Sequence, residues 1–350
     1  MSKSAVERPV DQSQQTITGT LRRQGQHLMT NWIRELALLP AIIILLIIGA
    51  FENPAFLTEA NLITVAQLAA PLGIVVAAET LILLTGKFDL SLQSTYGLAP
   101  MVGAWLIASK EGQGLGTQWN PYLGIAIVLL IGVVVGAFNG FMVIKLGFNA
   151  FIFTLGMLIL LAGIQEGVVK GRTVYFLPDA FVYLGSQSLF AVPVSVWVAA
   201  LIFLLAALFL RYHRVGRAIY AIGGNTEAAR AAGIHVDRIR IGVFIVASVL
   251  AALAGLMTAG LDVAVTASQG NGLIFTVFAA AVIGGISLDG GRGRMLGALT
   301  GVILLALVTN ILNLLPPSLS QFQTFWIDAA TGLIILIALG LARLIGTERG

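Results

Sequence analysis

In a chain of 350 residues that is 58% hydrophobic and 10% charged, few side chains can do chemistry. Glu79 stands inside an apolar run, six residues or roughly 9 Å of helix from its end at Thr85. A carboxyl at that depth is costly unless it meets water or a polar partner, so Glu79 is a candidate for a translocation pathway. Gln67, Asn139, Asn149, Thr154 and Asn310 are the neutral hydrogen-bonding residues at similar depth or at its edge. Each could serve a pathway or equally bridge two helices. Asp328 is the other carboxyl within a late apolar run, and Asp262 closes an earlier one. No nucleophile with a base, no His-Glu-x-x-His and no Gly-x-x-x-x-Gly-Lys-Ser/Thr occurs. The lack of cysteine removes thiol and disulfide chemistry. No metal site and no hydrolysis of ATP by this chain is therefore expected.

The elements that must hold these residues are membrane helices, since the composition is that of an integral membrane protein. At roughly 20 apolar residues per crossing, ten spans are expected. They lie near Ile33–Phe51, Leu62–Thr85, Leu90–Ser109, Pro121–Ile144, Phe148–Val168, Ala191–Leu210, Ile241–Leu261, Gly272–Leu288, Arg294–Leu315 and Gln323–Arg343. The fold class is all-α, with a cytoplasmic tail at 1–32, a membrane domain at 33–345 and a tail at 346–350. The first thirty residues are polar and show no cleavable signal pattern. Residues 1–20 read as disordered, and Leu21–Arg34 as a basic interfacial helix.

Basic residues give an independent check. Placing both termini in the cytoplasm puts Lys3, Arg8, Lys87, Lys145, Arg292, Arg294 and the six arginines of segment 211–240 on the inside with the terminal ones. Only Lys110, Lys170 and Arg172 fall outside. That asymmetry is what the positive-inside rule requires. It also explains the net charge of +4 without any nucleic-acid partner.

Segment 211–240 cannot itself be a span, because its charges would cost on the order of 20 kcal/mol in lipid. Within it, "GGNTEAARAAG" reads as a short helix across the cytoplasmic face. Asn225 or Thr226 caps it, Glu227 sits in its first turn and Gly233 stops it. Gly223, Gly224 and Gly233 would let that helix pivot as one body, with Gly233 expected at positive φ in a packed contact. A solvated connector is the plainer alternative.

Four stretches carry a resemblance. "EAARAAG" has the E-A-A-x-x-x-G spacing, "LTGKFDLS" is similar to G-G-x-D-L-S, "FIFTLG" to F-I-x-T-L-G, and "VIGGISLDGGRGRMLGAL" to G-G-x-S-L-x-G-G-x-G. Their order and spacing resemble the permease subunits of ATP-binding-cassette (ABC) sugar importers of the ribose, xylose and autoinducer type, from about Leu36 to Ile345. The resemblance implies a ten-helix importer permease in the bacterial inner membrane. It also implies a second permease copy, an extracytoplasmic solute-binding protein, and a cytoplasmic ATP-binding subunit that holds ATP and Mg. It makes Gly216, Arg217, Gly223, Asn225, Glu227, Ala228, Ala229 and Gly233 the ATPase-coupling loop. The signature turns become Gly86, Asp89 and Ser91, and Gly284, Gly285, Ser287, Gly290, Gly291 and Gly293. The neutral polar residues above then suit transient hydrogen bonds to sugar hydroxyls.

The chain departs from that pattern at Lys87, which replaces the second signature glycine, at Gln93, and at Ile274–Phe275–Thr276, where relatives carry Glu-Leu-Asp. Asp328 lies near where many relatives have a lysine. Asp89 is read as capping the third span after a tight turn at Gly86, with solute contact as the alternative. Gly132, Gly136 and Gly140, and likewise Gly293, Gly297 and Gly301, form stripes for close helix packing. The rival class is an ion-coupled secondary transporter. It would need buried carboxylates or a histidine relay, whereas His27, His213 and His235 all fall in cytoplasmic segments.

Overall fold

A computed structural model describes residues 38–314 together with residues 329, 332, 333 and 336. The N-terminal tail, Leu21–Arg34, the first residues of the first expected span, Asp328 with most of Gln323–Arg343, and the C-terminal tail lie outside the described residues.

The described chain is helical. In order come α1 (Leu39–Glu52), α2 (Glu59–Leu84), α3 (Leu92–Ile107), α4 (Pro121–Ile144), α5 (Ala150–Val169) and α6 (Asp179–Ser186). A two-stranded hairpin follows, β1 (Ser188–Leu189) with β2 (Val192–Pro193). Then come α7 (Val194–Tyr212), α8 (Arg214–Gly224), α9 (Thr226–Ala231), α10 (Val236–Asp262), α11 (Leu273–Ile283) and α12 (Met295–Asn313). Six of these, α2, α4, α5, α7, α10 and α12, are long and apolar enough to cross a membrane.

Local chemistry sets several boundaries. Thr58 caps α2 by accepting from the Asn61 amide, and Asn120 caps α4 by accepting from the Tyr122 amide ahead of Pro121. Pro193 delays α7 to Val194, so the span expected from Ala191 starts later and runs to Tyr212. The eighth expected span is shorter than the sequence implied. Its helix α11 has 11 residues, about 16 Å, and stops at Gly284, so Leu288 lies in a turn. The third has 16 residues, about 24 Å against a core of about 30 Å.

Burial separates helices that look alike in hydropathy. The most apolar window of α2 is 78% buried inside the protein and that of α10 is 56%, while α5 and α7 reach only 28% and 22%. Helices α2 and α10 are thus the centre, and α4, α5 and α7 turn apolar side chains outward. Gly132, Gly136 and Gly140 let α4 close on the backbone of α10 at Val249, Ile245 and Ile241, as a packing stripe should. The second stripe is only partly helical. Gly297 and Gly301 of α12 meet Gly284 and Ala280 at α11, but Gly293 precedes the helix and packs on Ile286.

The connections gather at two ends. At one, Val174 pairs with Val265, the Arg172 guanidinium donates to Gln113, and α6 and the hairpin close the bundle. At the other, the turn after α2, segment 211–240 and the turn between α11 and α12 meet.

Candidate functional site

At this second end, segment 211–240 folds into more than the single short helix expected. It forms α8, then α9, then the first turn of α10, so Arg238 and Arg240 belong to a long helix rather than a loop. Gly216 is buried where the chain returns against Phe209 and Leu210, and the Arg217 guanidinium donates to the Tyr212 carbonyl at 2.8 Å. Asn225 caps α9, its Oδ1 accepting from the Ala228 amide at 3.0 Å. Gly233 follows with φ +79°, and its amide donates to the Arg230 carbonyl. Ala229 is buried with Ile222 and Val236, while Glu227 and Ala228 are exposed. One face of α9 is therefore anchored and the other is free to meet a partner. Asp237 holds this corner through Arg230 at 2.7 Å and Lys145 at 3.0 Å.

Two expectations about the flanking glycines need correction. A side chain at Gly233 would meet no described atom within 4 Å, so among the described residues only its backbone conformation, not a packed contact, resists substitution. Gly223 is not a free pivot. It is pressed between the Leu84 carbonyl and the Gly291 amide, which hydrogen-bond to each other at 3.0 Å.

Three glycine turns meet here backbone to backbone. A Cβ at Gly290 would lie 2.7 Å from Gly86 Cα and 3.2 Å from Gly223 Cα, and one at Gly291 would lie 2.7 Å from Gly224 Cα. Ser287 shapes the third turn, its Oγ accepting from the Asp289 amide and its amide donating to the Arg292 carbonyl. Two side chains that sequence reading passed over tie the turns together. The Arg240 Nη2 donates to the Thr85 carbonyl and to Thr226 Oγ1, both at 2.9 Å, linking α9 to the end of α2. The Tyr220 hydroxyl donates to the Gly293 carbonyl at 3.0 Å. Burial raises the Tyr220 pKa, so this donor keeps its proton. Lys87 is half buried, and burial first, then the nearby Arg240 charge, lower its pKa from the ordinary lysine value.

Directly behind the α2 turn lies a polar cluster sealed from solvent. Glu79, Asp89, Ser91, Asn139 and Thr154 all have zero exposure. Asp89 Oδ1 accepts from the Ser91 amide at 3.0 Å and its hydroxyl at 2.6 Å. The Asn139 amide donates to Ser91 Oγ at 2.7 Å and Asp89 Oδ2 at 3.5 Å. Thr154 Oγ1 accepts from the Leu90 amide at 3.1 Å, and Glu79 Oε1 from the Asp89 amide at 3.4 Å. Asp89 therefore closes a turn just ahead of α3 rather than capping it, because the cap position is Ser91. Among the described residues, Glu79 Oε2 and Asn139 Oδ1 find no hydrogen-bond partner.

The other three pathway candidates stand apart from this cluster. Gln67 donates to the Gly185 carbonyl at 3.0 Å, Asn149 caps α5 through the Ile152 amide, and Asn310 forms a reciprocal amide pair with Asn61 at 3.0 Å. Two of the departures from the signature pattern touch each other, as Gln93 Oε1 accepts from the Ile274 amide at 3.2 Å. A glutamine pair, Gln165 to the Gln269 carbonyl and Gln269 to the Tyr96 and Gly255 carbonyls, was missed by sequence reading. Among the described residues no group of three or more His, Asp or Glu could hold a metal ion.

The sequence profile of the branched-chain amino acid transport system permease component covers residues 61–344. The chain is 35% identical to the ribose import permease protein RbsC of Escherichia coli K12, over 83% of this chain and 89% of that protein. It is 33% identical to the RbsC of Haemophilus influenzae, over 88% and 93% respectively. With the autoinducer 2 import system permease protein LsrC of Yersinia pseudotuberculosis it shares 35% identity over 73% of this chain and 70% of that one. No solved structure matches the chain. With its apolar spans, its turn cluster and a match running from α2 beyond α12, the chain belongs to the family of the branched-chain amino acid transport system permease component.

Proposed function

We propose that the chain is the membrane-spanning permease subunit of an ABC importer, moving a sugar or sugar-like polyhydroxy solute into the cytoplasm. ATP and Mg are bound and hydrolysed in a separate cytoplasmic subunit, an extracytoplasmic binding protein delivers the solute, and a second permease copy completes the pore in the inner membrane. Ten spans then place both termini in the cytoplasm, on the side of the turn cluster.

One observation carries this proposal. The exposed face of α9 connects without interruption to the buried polar cluster, through Thr226, Arg240 and Thr85 and through the stacked turns at Gly86, Gly223 and Gly290. A push on α9 therefore bears on the end of α2, whose Glu79 lies in the polar cluster. The names of the relatives, which import ribose and autoinducer 2, support a polyhydroxy solute.

The test is uptake of labelled ribose by proteoliposomes holding permease, ATPase and binding protein. Uptake should collapse without the ATPase and survive a protonophore. Uptake that needs no ATPase and is abolished by the protonophore would instead establish an ion-coupled secondary transporter.

A further inference from the structure

Beside the α9 corner, a groove of about 370 Å³ opens between α2, α7, α8 and α10. Its walls are apolar: Leu81, Phe209, Val215, Ile219, Val243 and Val246. Phe209 and Val246 are 36% and 50% exposed, so the groove faces outward from helices that cross the bilayer. Gly242 is among its lining residues, and a Cβ there would meet no described atom within 4 Å. No described residue therefore fills this space.

Arg238 lines this groove and also a neighbouring cleft of about 360 Å³, whose walls include Lys145, Arg230 and His235. Arg238 is exposed, and its guanidinium makes no hydrogen bond or ion pair with any described residue. The acid beside it, Asp237, is already held by Lys145 and Arg230. A guanidinium with unused paired donors, set at the rim of an apolar groove, matches a ligand with an anionic head and an apolar tail. A bilayer supplies that ligand, and basic residues at its surface attract anionic lipids.

We propose that the groove between α2, α7, α8 and α10 is a binding site for one anionic phospholipid, with an acyl chain along Leu81, Val215 and Val246 and the phosphate on Arg238. The site requires only that α2, α7 and α10 cross a membrane, and it does not depend on the importer reading.

The test uses purified, delipidated full-length protein, with lipid retention counted by native mass spectrometry. Phosphatidylglycerol and phosphatidylcholine are offered in equal parts. The wild type should retain one phosphatidylglycerol in preference to phosphatidylcholine. Arg238→Gln should weaken that retention roughly five- to tenfold, the effect of one cation on an anionic headgroup. Gly242→Leu, which fills the groove and leaves Arg238 in place, should abolish it while the melting temperature of the protein holds. Equal retention of the two lipids by the wild type would overturn the proposal, as would unchanged retention in either variant. Displacement of the lipid by glycerol 3-phosphate at equal concentration would make this a plain anion site and overturn it as well.

Discussion

Replacing Gly290 by alanine tests whether the three stacked turns act as one rigid joint. Gly290 has φ +91°, a region that costs an L residue roughly 1–2 kcal/mol. Its new Cβ would also lie 2.7 Å from Gly86 Cα and 2.8 Å from Gly86 N. Both are backbone atoms, so no flexible side chain can yield, and the turns must part by at least about 0.3 Å. Overpacking of that kind adds roughly 1–3 kcal/mol, for a total of about 2–5 kcal/mol. Gly285 provides the control, since it has φ +81° but a Cβ there meets no described atom within 4 Å. Gly285→Ala should cost only the conformational part, about 1–2 kcal/mol. The assay is the melting temperature of each detergent-solubilised variant, followed by ATP-driven ribose uptake at matched protein levels. Gly290→Ala should melt well below Gly285→Ala and lose most of its uptake, while Gly285→Ala keeps most of it. Equal melting and equal uptake in the two variants would show that backbone contact among the turns carries neither stability nor coupling.

Two further outcomes follow from the same corner. Arg240→Met keeps the aliphatic stem but removes two charge-assisted hydrogen bonds of about 1.5–3 kcal/mol each, so the ATPase should still co-purify while solute imported per ATP falls several-fold. Unchanged transport per ATP would remove Arg240 from the path. For Lys87, the folded-state pKa lies below the unfolded value, so the unfolded chain binds more protons and stability should rise with pH across the alkaline window up to about 10.4. The melting temperature of the wild type, measured against that of Lys87→Gln from neutral pH upward, should climb through this window, and a flat difference would refute the assignment.

The helical bundle was legible because its signals are local. Apolar runs of membrane length mark the spans, and the polar cap at Asn225 with the stop at Gly233 marks α9, since capping depends on residues three or four positions apart. The glycine stripe of α4 could be read in the same way. The extra helix α8 was not seen, because its apolar positions were outweighed by the charges of the segment around it.

The sequence by itself therefore determined a helical membrane chain and the position of its polar corner, but not the Arg240 and Tyr220 side chains that tie that corner together. Tertiary structure decided which helices are central. Lipid is as apolar as a protein interior, so α2 and α5 carry the same hydropathy although one is buried and the other faces outward. It also decided that Glu79, Asp89, Ser91, Asn139 and Thr154 share one site while Gln67, Asn149 and Asn310 do not. No spacing rule reaches from residue 79 to residue 154, because that distance is closed only when α4 and α5 pack around the turn that leads into α3. Arg240 shows the same limit: its guanidinium became a strut only because backbone contact among three glycine turns brought the Thr85 carbonyl within 2.9 Å.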